Sequence, residues 1–285
     1  MTDPELIATC WTSAGDAAPM RTSERSPFDP IDRVRRVAET GWVGLGFVLD
    51  DLRAVRETIG FEALAEEIAA AGLRHVEVEL CAGWWKDPGE GWRGHWEELL
   101  EAAQALDAAF IKIGTDAGPA VEDVEAFVAP MRDLADQAQS SGTKVALEPL
   151  PFGLIASIPQ GAELVRRVDH PAAGLIVDYW HVFRAGTSLD ELRGSLAAEL
   201  VFGVELCDAD NVVLGSLFED TRDNRRLVGE GEQDVSGFID VMQDIGFAGP
   251  WGVEILSAEH RRRPLGDALE VAFRSARRAF TADQV

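Results

Sequence analysis

The sequence has little positive charge, and this shortage excludes two classes of partner. Among 285 residues, 26 are Lys or Arg and 50 are Asp or Glu, which gives a net charge of −24. A surface with this charge repels the phosphate backbone of nucleic acids and anionic lipid headgroups. We therefore expect neither a nucleic acid nor a membrane surface among the partners of the protein.

Cysteines are few and long apolar runs are missing. Cys10, Cys81 and Cys207 make an odd number and form no C-x-x-C motif, so neither a disulfide scaffold nor a cysteine-based zinc site is expected. No apolar run reaches the ~18 residues of a membrane-spanning helix. The first residues also lack the basic and apolar regions of a signal peptide. These absences predict a soluble, cytoplasmic protein.

Short apolar runs typical of strands alternate with longer amphipathic segments typical of helices. The predicted strands are Leu6–Cys10, Val43–Phe47, His75–Leu80, Phe110–Ile113, Lys144–Leu147, Gly174–Val177, Val201–Leu206 and Gly252–Ile255. Eight strand-plus-helix units average about 36 residues each, which suits βαβ geometry. An open Rossmann sheet would require G-x-G-x-x-G after the first strand, but Gly44-x-Gly46 lacks the third glycine and lies inside a predicted strand. The pattern predicts an α/β fold, a (β/α)₈ TIM barrel that spans residues 1–285 as a single domain.

Two connections are longer than the loops of ordinary βα units. They run from Trp11 to Phe28 after the first strand and from Asp208 to Asp234 after the seventh. Because both follow the carboxyl ends of strands, where the active sites of such barrels lie, we expect them to close over one mouth. The alternative is that they are surface insertions without a function.

Four consecutive predicted strands, the fifth to the eighth, each carry an acid near the carboxyl end. The acids are Glu148, Asp178, Glu205 and Glu254. Residues two positions apart in a strand share a face. Small residues stand two positions before three of these acids, and bulky apolar residues occupy the alternate positions. The acids should therefore point into the barrel, whose centre is narrow.

Four converging carboxylates repel one another, and a divalent cation is the usual resolution. An all-oxygen ligand set favours Mn²⁺ or Mg²⁺. The alternative is that each acid caps a helix or pairs with an arginine.

Further residues near the strand ends are candidates for contact with a substrate. His181 follows Asp178 by three residues, and Lys112 ends the fourth strand with the parity of an inward side chain. Trp11 and Trp84 follow the first and third strands, where a flat ring could stack on a sugar. For each of them ordinary packing, or a surface position, is the alternative.

The ordered motifs ALEPLPF, GLIVDYWHVFRAG, VELCDAD, RRLVGEGEQD and GPWGVEIL resemble the sugar phosphate isomerase/epimerase superfamily of xylose isomerase-like TIM barrels. The opening TCWTSAGDAAP and the stretch AGWWKDP…FIKIGTDA resemble a subgroup of it. The resemblance covers nearly the whole chain. Related apurinic endonucleases use several histidines and a basic DNA-binding face, which five histidines and a charge of −24 do not match.

The resemblance implies a divalent metal held by Glu148, Asp178, Glu205 and Glu254. Glu205 departs from the histidine that many members carry on the seventh strand. The resemblance also implies that His181 contacts the substrate and that Glu148 and Glu254 act as acid and base on either side of a carbon next to a metal-bound carbonyl, with an enediolate stabilised by the metal.

The implied activity is isomerisation or epimerisation of a keto-sugar or related polyol. The alternatives are a metal-dependent dehydratase (lyase) of an inosose-like or 3-keto sugar, with His181 or Lys112 as the acid, and a non-catalytic sugar-binding barrel. Arg226, with its neighbour Arg225, offers a contact for an anion but could equally pair with surrounding acids. An unphosphorylated sugar is favoured as the partner, and a homo-oligomer is consistent with the sequence.

Overall fold

Eight parallel strands close into a barrel in chain order in the computed structural model, which describes residues 3–87 and 91–281. The strands are β1 (Leu6–Ala8), β2 (Gly44–Val48), β3 (His75–Cys81), β4 (Phe110–Ile113), β5 (Val145–Leu147), β6 (Ala173–Asp178), β7 (Val201–Leu206) and β8 (Trp251–Val253). β1 pairs with both β2 and β8, so the sheet has no open edge. The predicted (β/α)₈ barrel is confirmed, and β4 and β7 match the prediction residue for residue.

Twelve α-helices surround the barrel in the described part of the chain. They are α1 (Cys10–Ser13), α2 (Pro30–Thr40), α3 (Leu49–Glu57), α4 (Phe61–Ala70), α5 (Trp92–Ala105), α6 (Glu125–Ser140), α7 (Ile158–Val168), α8 (Tyr179–Arg184), α9 (Leu189–Ser195), α10 (Leu217–Asp223), α11 (Val235–Asp244) and α12 (Leu265–Ala279). None of these helices is both long and apolar enough to cross a membrane. Pro88, which ends the motif AGWWKDP, lies outside the described residues.

Helix α2 shows how local sequence sets the ends of a helix. The Asp29 carboxylate accepts hydrogen bonds from the backbone N–H groups of Ile31 and Asp32, and Pro30 stands at the first helical position. Both features favour a helix start. The helix ends at Gly41, whose φ of 102° is readily adopted only by glycine. These signals were visible in the sequence.

The two faces of the strands pack into separate apolar layers. Val145, Leu147 and Val177 belong to the large core beneath the helices. The residues of opposite parity, Phe110, Ala146 and Ile176, form a small cluster inside the barrel. The predicted alternation of inner and outer faces is thus present in β4, β5 and β6.

Strand boundaries differ from the prediction next to the site. Cys10 begins α1 instead of ending β1, and β8 ends at Val253, whereas the prediction extended it to Ile255. β5 ends at Leu147 as predicted, so Glu148 and Glu254 each directly follow a strand. The backbone N–H of Glu148 still donates to the Ile113 carbonyl, and that of Glu254 to the Leu206 carbonyl, both at 2.9 Å. Both acids therefore keep the ladder bonding of their strands.

A buried ion pair joins α2 and α3 to the first two strands. Arg33 donates to the Asp51 carboxylate at 2.5 Å and to the carbonyl oxygens of Cys10 and Gly46. Its side chain is 1% exposed and that of Asp51 is 7% exposed. The buried guanidinium thus holds together the chain after β1 and the middle of β2, and its charge is balanced by Asp51 and not by water.

We expect Asp51→Ala to lower the free energy of unfolding by about 3–5 kcal/mol, because it leaves the Arg33 charge buried without its counter-ion. Urea unfolding of the two proteins measures the difference. The control is Glu67→Ala, which removes the partner of the largely exposed Arg35 and should cost less than about 1 kcal/mol. Equal losses in the two variants would contradict the importance of burial.

Candidate active site

The four acids predicted from the strand ends converge at the carboxyl end of the barrel. Asp178 and Glu205 are residues of β6 and β7, and Glu148 and Glu254 directly follow β5 and β8. One carboxylate oxygen from each lies within 4.8 Å of the others. All four residues are buried, with at most 7% exposed surface. The barrel therefore concentrates negative charge where solvent screens it little.

Lys112, on β4, brings an ammonium group into this cluster. Its Nζ lies 2.7 Å from Glu205 Oε1 and 2.8 Å from Oε2 of Glu79, a residue of β3. The Glu254 and Glu148 carboxylates are farther from it, at 3.5 Å and 3.9 Å. The lysine is 1% exposed, so its charge is balanced by the acids and not by water.

Arg225 supplies a second buried cation from the long connection after β7. Its Nη1 lies 2.6 Å from Asp178 Oδ2 and 3.1 Å from Glu254 Oε2. The other guanidinium nitrogens donate to the hydroxyl of Thr221 on α10. The connection 208–234 therefore reaches the acids, as its length and position predicted.

The connection after β1 lies at the same end of the barrel. The Thr12 hydroxyl donates to the Val253 carbonyl and accepts from the Ile255 backbone N–H, on either side of Glu254. Both long connections thus border the mouth that contains the acids.

His181 lies beside Glu148 at the start of α8. Its Nε2 is 3.2 Å from Glu148 Oε1, and its Nδ1 has no hydrogen-bond partner among the described residues. The Asp178 carboxylate caps α8 by accepting from the backbone N–H groups of Trp180 and His181. The cap explains why an acid and a histidine three residues apart meet at one site.

The donor set fits a divalent cation. With Glu79 included, five carboxylates surround two cationic side chains, so the ionised cluster keeps an excess of negative charge. Glu205 Oε2 is buried and has no hydrogen-bond partner among the described residues. Each carboxylate oxygen has two lone pairs, so Asp178 can bind a cation in addition to Arg225. Oxygen ligands of this kind suit hard cations such as Mg²⁺ or Mn²⁺.

The environment separates the acids by pKa. Burial, only partly offset by Lys112 and Arg225, raises the pKa of Glu254 to about 8. Burial and the Glu254 carboxylate hold the pKa of Glu205 well above its ordinary value. For Glu148 burial acts in the same direction, but Lys112 and His181 outweigh it and bring the pKa down to about 2. Without a bound cation, Glu148 is thus ionised and Glu254 mostly protonated at neutral pH.

Two predicted substrate contacts, Trp84 and Arg226, lie apart from the acids. Trp84 is 1% exposed, packs edge-on against Trp85 and Phe127, and donates to the Gly114 carbonyl. Its ring has no free face, which corrects the prediction of a stacking surface. Arg226 pairs with Asp210 on the exposed surface. This matches the alternative prediction, that Arg226 pairs with a nearby acid and does not bind an anion.

The remaining two predicted contacts lie at the mouth but are buried. Trp11 is 8% exposed and packs in a small apolar cluster with Val48 and Leu256. Lys112 points inward as its parity predicted, but its ammonium is bound by Glu79 and Glu205. Contact of Trp11 with a substrate stays a prediction.

Glu79 belongs to the site but was not among the predicted site residues, and Arg225 was named only beside Arg226 as a possible contact for an anion. Glu79 shares the inward parity of Glu77 in the run HVEVEL, which was a usable signal. Arg225 lies in an irregular segment where no periodicity indicates direction. It points inward and its neighbour Arg226 outward, as consecutive residues of an extended segment do.

The comparisons with known proteins agree with this geometry. Residues 34–276, most of the chain, match the sequence profile of the xylose isomerase-like TIM barrel family. The chain belongs to this family. The predicted resemblance is thereby confirmed.

Within the family, the curated relatives are enzymes. The 3-dehydroshikimate dehydratase of Pseudomonas putida is 30% identical over 181 residues, which cover 60% of this chain and 28% of that protein. The inosose isomerase of Bacillus subtilis is 25% identical over 144 residues, 50% of each chain. The chain thus spans about half or less of these relatives. The solved IOLI protein with a bound zinc atom has 16% identity and a TM-score of 0.79 over 98% of both chains, which shows a shared fold.

The raised pKa of Glu254 predicts how the stability of the metal-free protein depends on pH. The folded state keeps this proton up to about pH 8, whereas the unfolded chain releases it near the ordinary value of 4.5. The stability contributed by the group is therefore full below about pH 4.5 and is lost as pH rises towards 8 and beyond. We expect Glu254→Gln, which cannot ionise, to weaken this decline.

Urea unfolding of chelator-treated protein at several pH values between about 5 and 8 measures the effect. Because the Glu254 carboxylate also raises the pKa of Glu205, the difference between their slopes reports the loss of Glu254 together with its effect on Glu205. Identical slopes would contradict the assignment.

Proposed function

We propose that the chain is a divalent-metal-dependent enzyme that isomerises or epimerises a keto-sugar or related polyol by proton transfer. The observation that carries the proposal is the convergence of four buried carboxylates from β5 to β8 within 4.8 Å. The names of the curated relatives support the substrate class, because inosose and 3-dehydroshikimate are both hydroxylated ring ketones. The C–H bond next to such a carbonyl is acidic enough for an enzymatic base to attack.

The residues that would hold the cation are Glu148, Asp178, Glu205 and Glu254, and the ion we propose is Mn²⁺ or Mg²⁺. When bound, such an ion polarises a carbonyl oxygen and stabilises the negative charge that develops on it. The unpaired Oε2 of Glu205 supports the inclusion of this residue.

Glu148 and Glu254 are the proposed acid–base pair. They follow β5 and β8, which lie on different sides of the closed barrel, so they can approach a bound carbon from two directions. One carboxylate accepts the proton next to the carbonyl, and the other returns a proton to the neighbouring position or to the opposite face. His181, next to Glu148, would contact the hydroxyl groups of the substrate through its unpaired Nδ1.

A dehydratase is the second candidate, and the 30% identity to 3-dehydroshikimate dehydratase favours it. The first step would be the same proton abstraction. The imidazole of His181, 3.2 Å from Glu148, would then donate a proton to a departing hydroxyl. The two candidates share the base and differ only in the second step, which is either return of a proton to carbon or loss of the hydroxyl.

We expect Glu254→Gln to reduce turnover by roughly 10²–10⁴-fold, the usual loss when an acid or base is removed. The assay follows exchange of substrate C–H for deuterium in D₂O by NMR, with Mn²⁺ present and inososes, keto-sugars and 3-dehydroshikimate as substrates. Bound Mn²⁺ is measured in parallel, because the amide oxygen can still act as a ligand while basicity is lost.

Glu259→Gln is the matched control, since Glu259 is an exposed residue that pairs with Arg263 in the same connection. It should keep the parent rate. Exchange at the parent rate in metal-loaded Glu254→Gln would contradict the acid–base role. Formation of a product that has lost a hydroxyl group would identify the dehydratase. Binding of a ketone without exchange and without such a product would indicate a sugar-binding barrel.

A further inference from the structure

The ammonium of Lys112 is placed as an internal counter-ion at the proposed metal site. It bridges Glu79 and Glu205 at 2.8 Å and 2.7 Å, and these two acids belong to β3 and β7, on different parts of the barrel wall. Lys112 itself comes from β4, so three strands are joined by one buried charge. An ammonium has three N–H donors, and two of them are taken by these carboxylates.

The same ammonium also faces the other acids. It lies 3.5 Å from Glu254 Oε1 and 3.9 Å from Glu148 Oε2. Lys112 is therefore within 4 Å of three of the four proposed metal ligands. A charge at this distance in a buried site has a large effect on any cation that those ligands bind.

The two oxygens of Glu205 have different surroundings. Oε1 is held by Lys112, whereas Oε2 is buried and has no hydrogen-bond partner among the described residues. The lysine thus leaves one oxygen of Glu205 for a ligand. It also compensates part of the negative charge that would otherwise draw in a divalent cation.

We propose that Lys112 is a positioning residue that holds Glu205 as a one-oxygen ligand and limits the affinity of the site for divalent cations. The inference rests on the metal site proposed above. The ammonium holds the acids together when no metal is bound and repels a metal that enters. Its removal should make the metal-free protein less stable and metal binding tighter.

Lys112→Met tests this balance of charge. We expect the variant to bind Mn²⁺ at least tenfold more tightly than the parent, in calorimetric titrations of chelator-treated protein. Its metal-free melting temperature should fall, and the rise in that temperature on adding Mn²⁺ should be larger than in the parent. Loss of a merely structural contact would leave the affinity unchanged or lower it.

Lys144→Met is the matched control, because Lys144 is an exposed lysine just before β5, at the opposite end of the barrel. It changes the net charge by the same amount and should leave the Mn²⁺ affinity within threefold of the parent. Lys112→Gln gives a second test if Lys112→Met does not fold. Its amide can still donate to Glu79 or Glu205 without the charge, and it should also bind Mn²⁺ more tightly.

The outcomes separate this inference from the proposed function. If the parent binds Mn²⁺ and the folded Lys112 variants bind it no more tightly, the role of Lys112 is overturned and the metal site stands. If neither the parent nor the Lys112 variants bind Mn²⁺ or Mg²⁺, the metal site itself is wrong, and this inference fails with it.

Discussion

Balance of charge at the carboxyl end of the barrel is the constraint on which the rest of the site depends. Five acids lie in an interior that solvent hardly reaches, and Lys112 and Arg225 face them with opposite charge. Buried charges are tolerated when they are paired with good geometry. Lys112 comes from β4 and Arg225 from the connection after β7. Both reach the acids only when the barrel is closed, so folding of the barrel and pairing of these charges occur together. Small residues such as Ala146 and Gly203 line the barrel beneath the acids.

Much of this arrangement could be predicted because a parallel barrel converts sequence parity into direction. Glu148 stands two residues after Ala146, and the alternate positions Val145 and Leu147 belong to the core beneath the helices. The same reasoning placed Lys112 inside the barrel. A second rule, that active sites lie at the carboxyl ends of the strands, placed both long connections at the mouth.

The remaining features depend on contacts that no local pattern encodes. That Lys112 pairs with Glu205 follows from how β4 and β7 face each other across the closed barrel, and sequence parity does not contain this distance. Arg225 and Arg226 were equivalent as sequence, and only the fold of their irregular segment buries one and exposes the other. Trp84 follows a strand, the position from which a side chain could reach the mouth, but its ring is buried against Phe127.

The buried position of Arg225 has a consequence for motion at the mouth. Its guanidinium belongs to the connection 208–234 and yet lies between Asp178 and Glu254. This segment cannot move away without removing the guanidinium from those two buried carboxylates. We therefore expect the segment around Arg225 and the strand ends that carry the acids to open together. Hydrogen exchange would detect them as one cooperative unit. Within this connection, a freely moving cover over a bound molecule would have to come from its outer part, where Val212, Val213 and Leu214 are exposed.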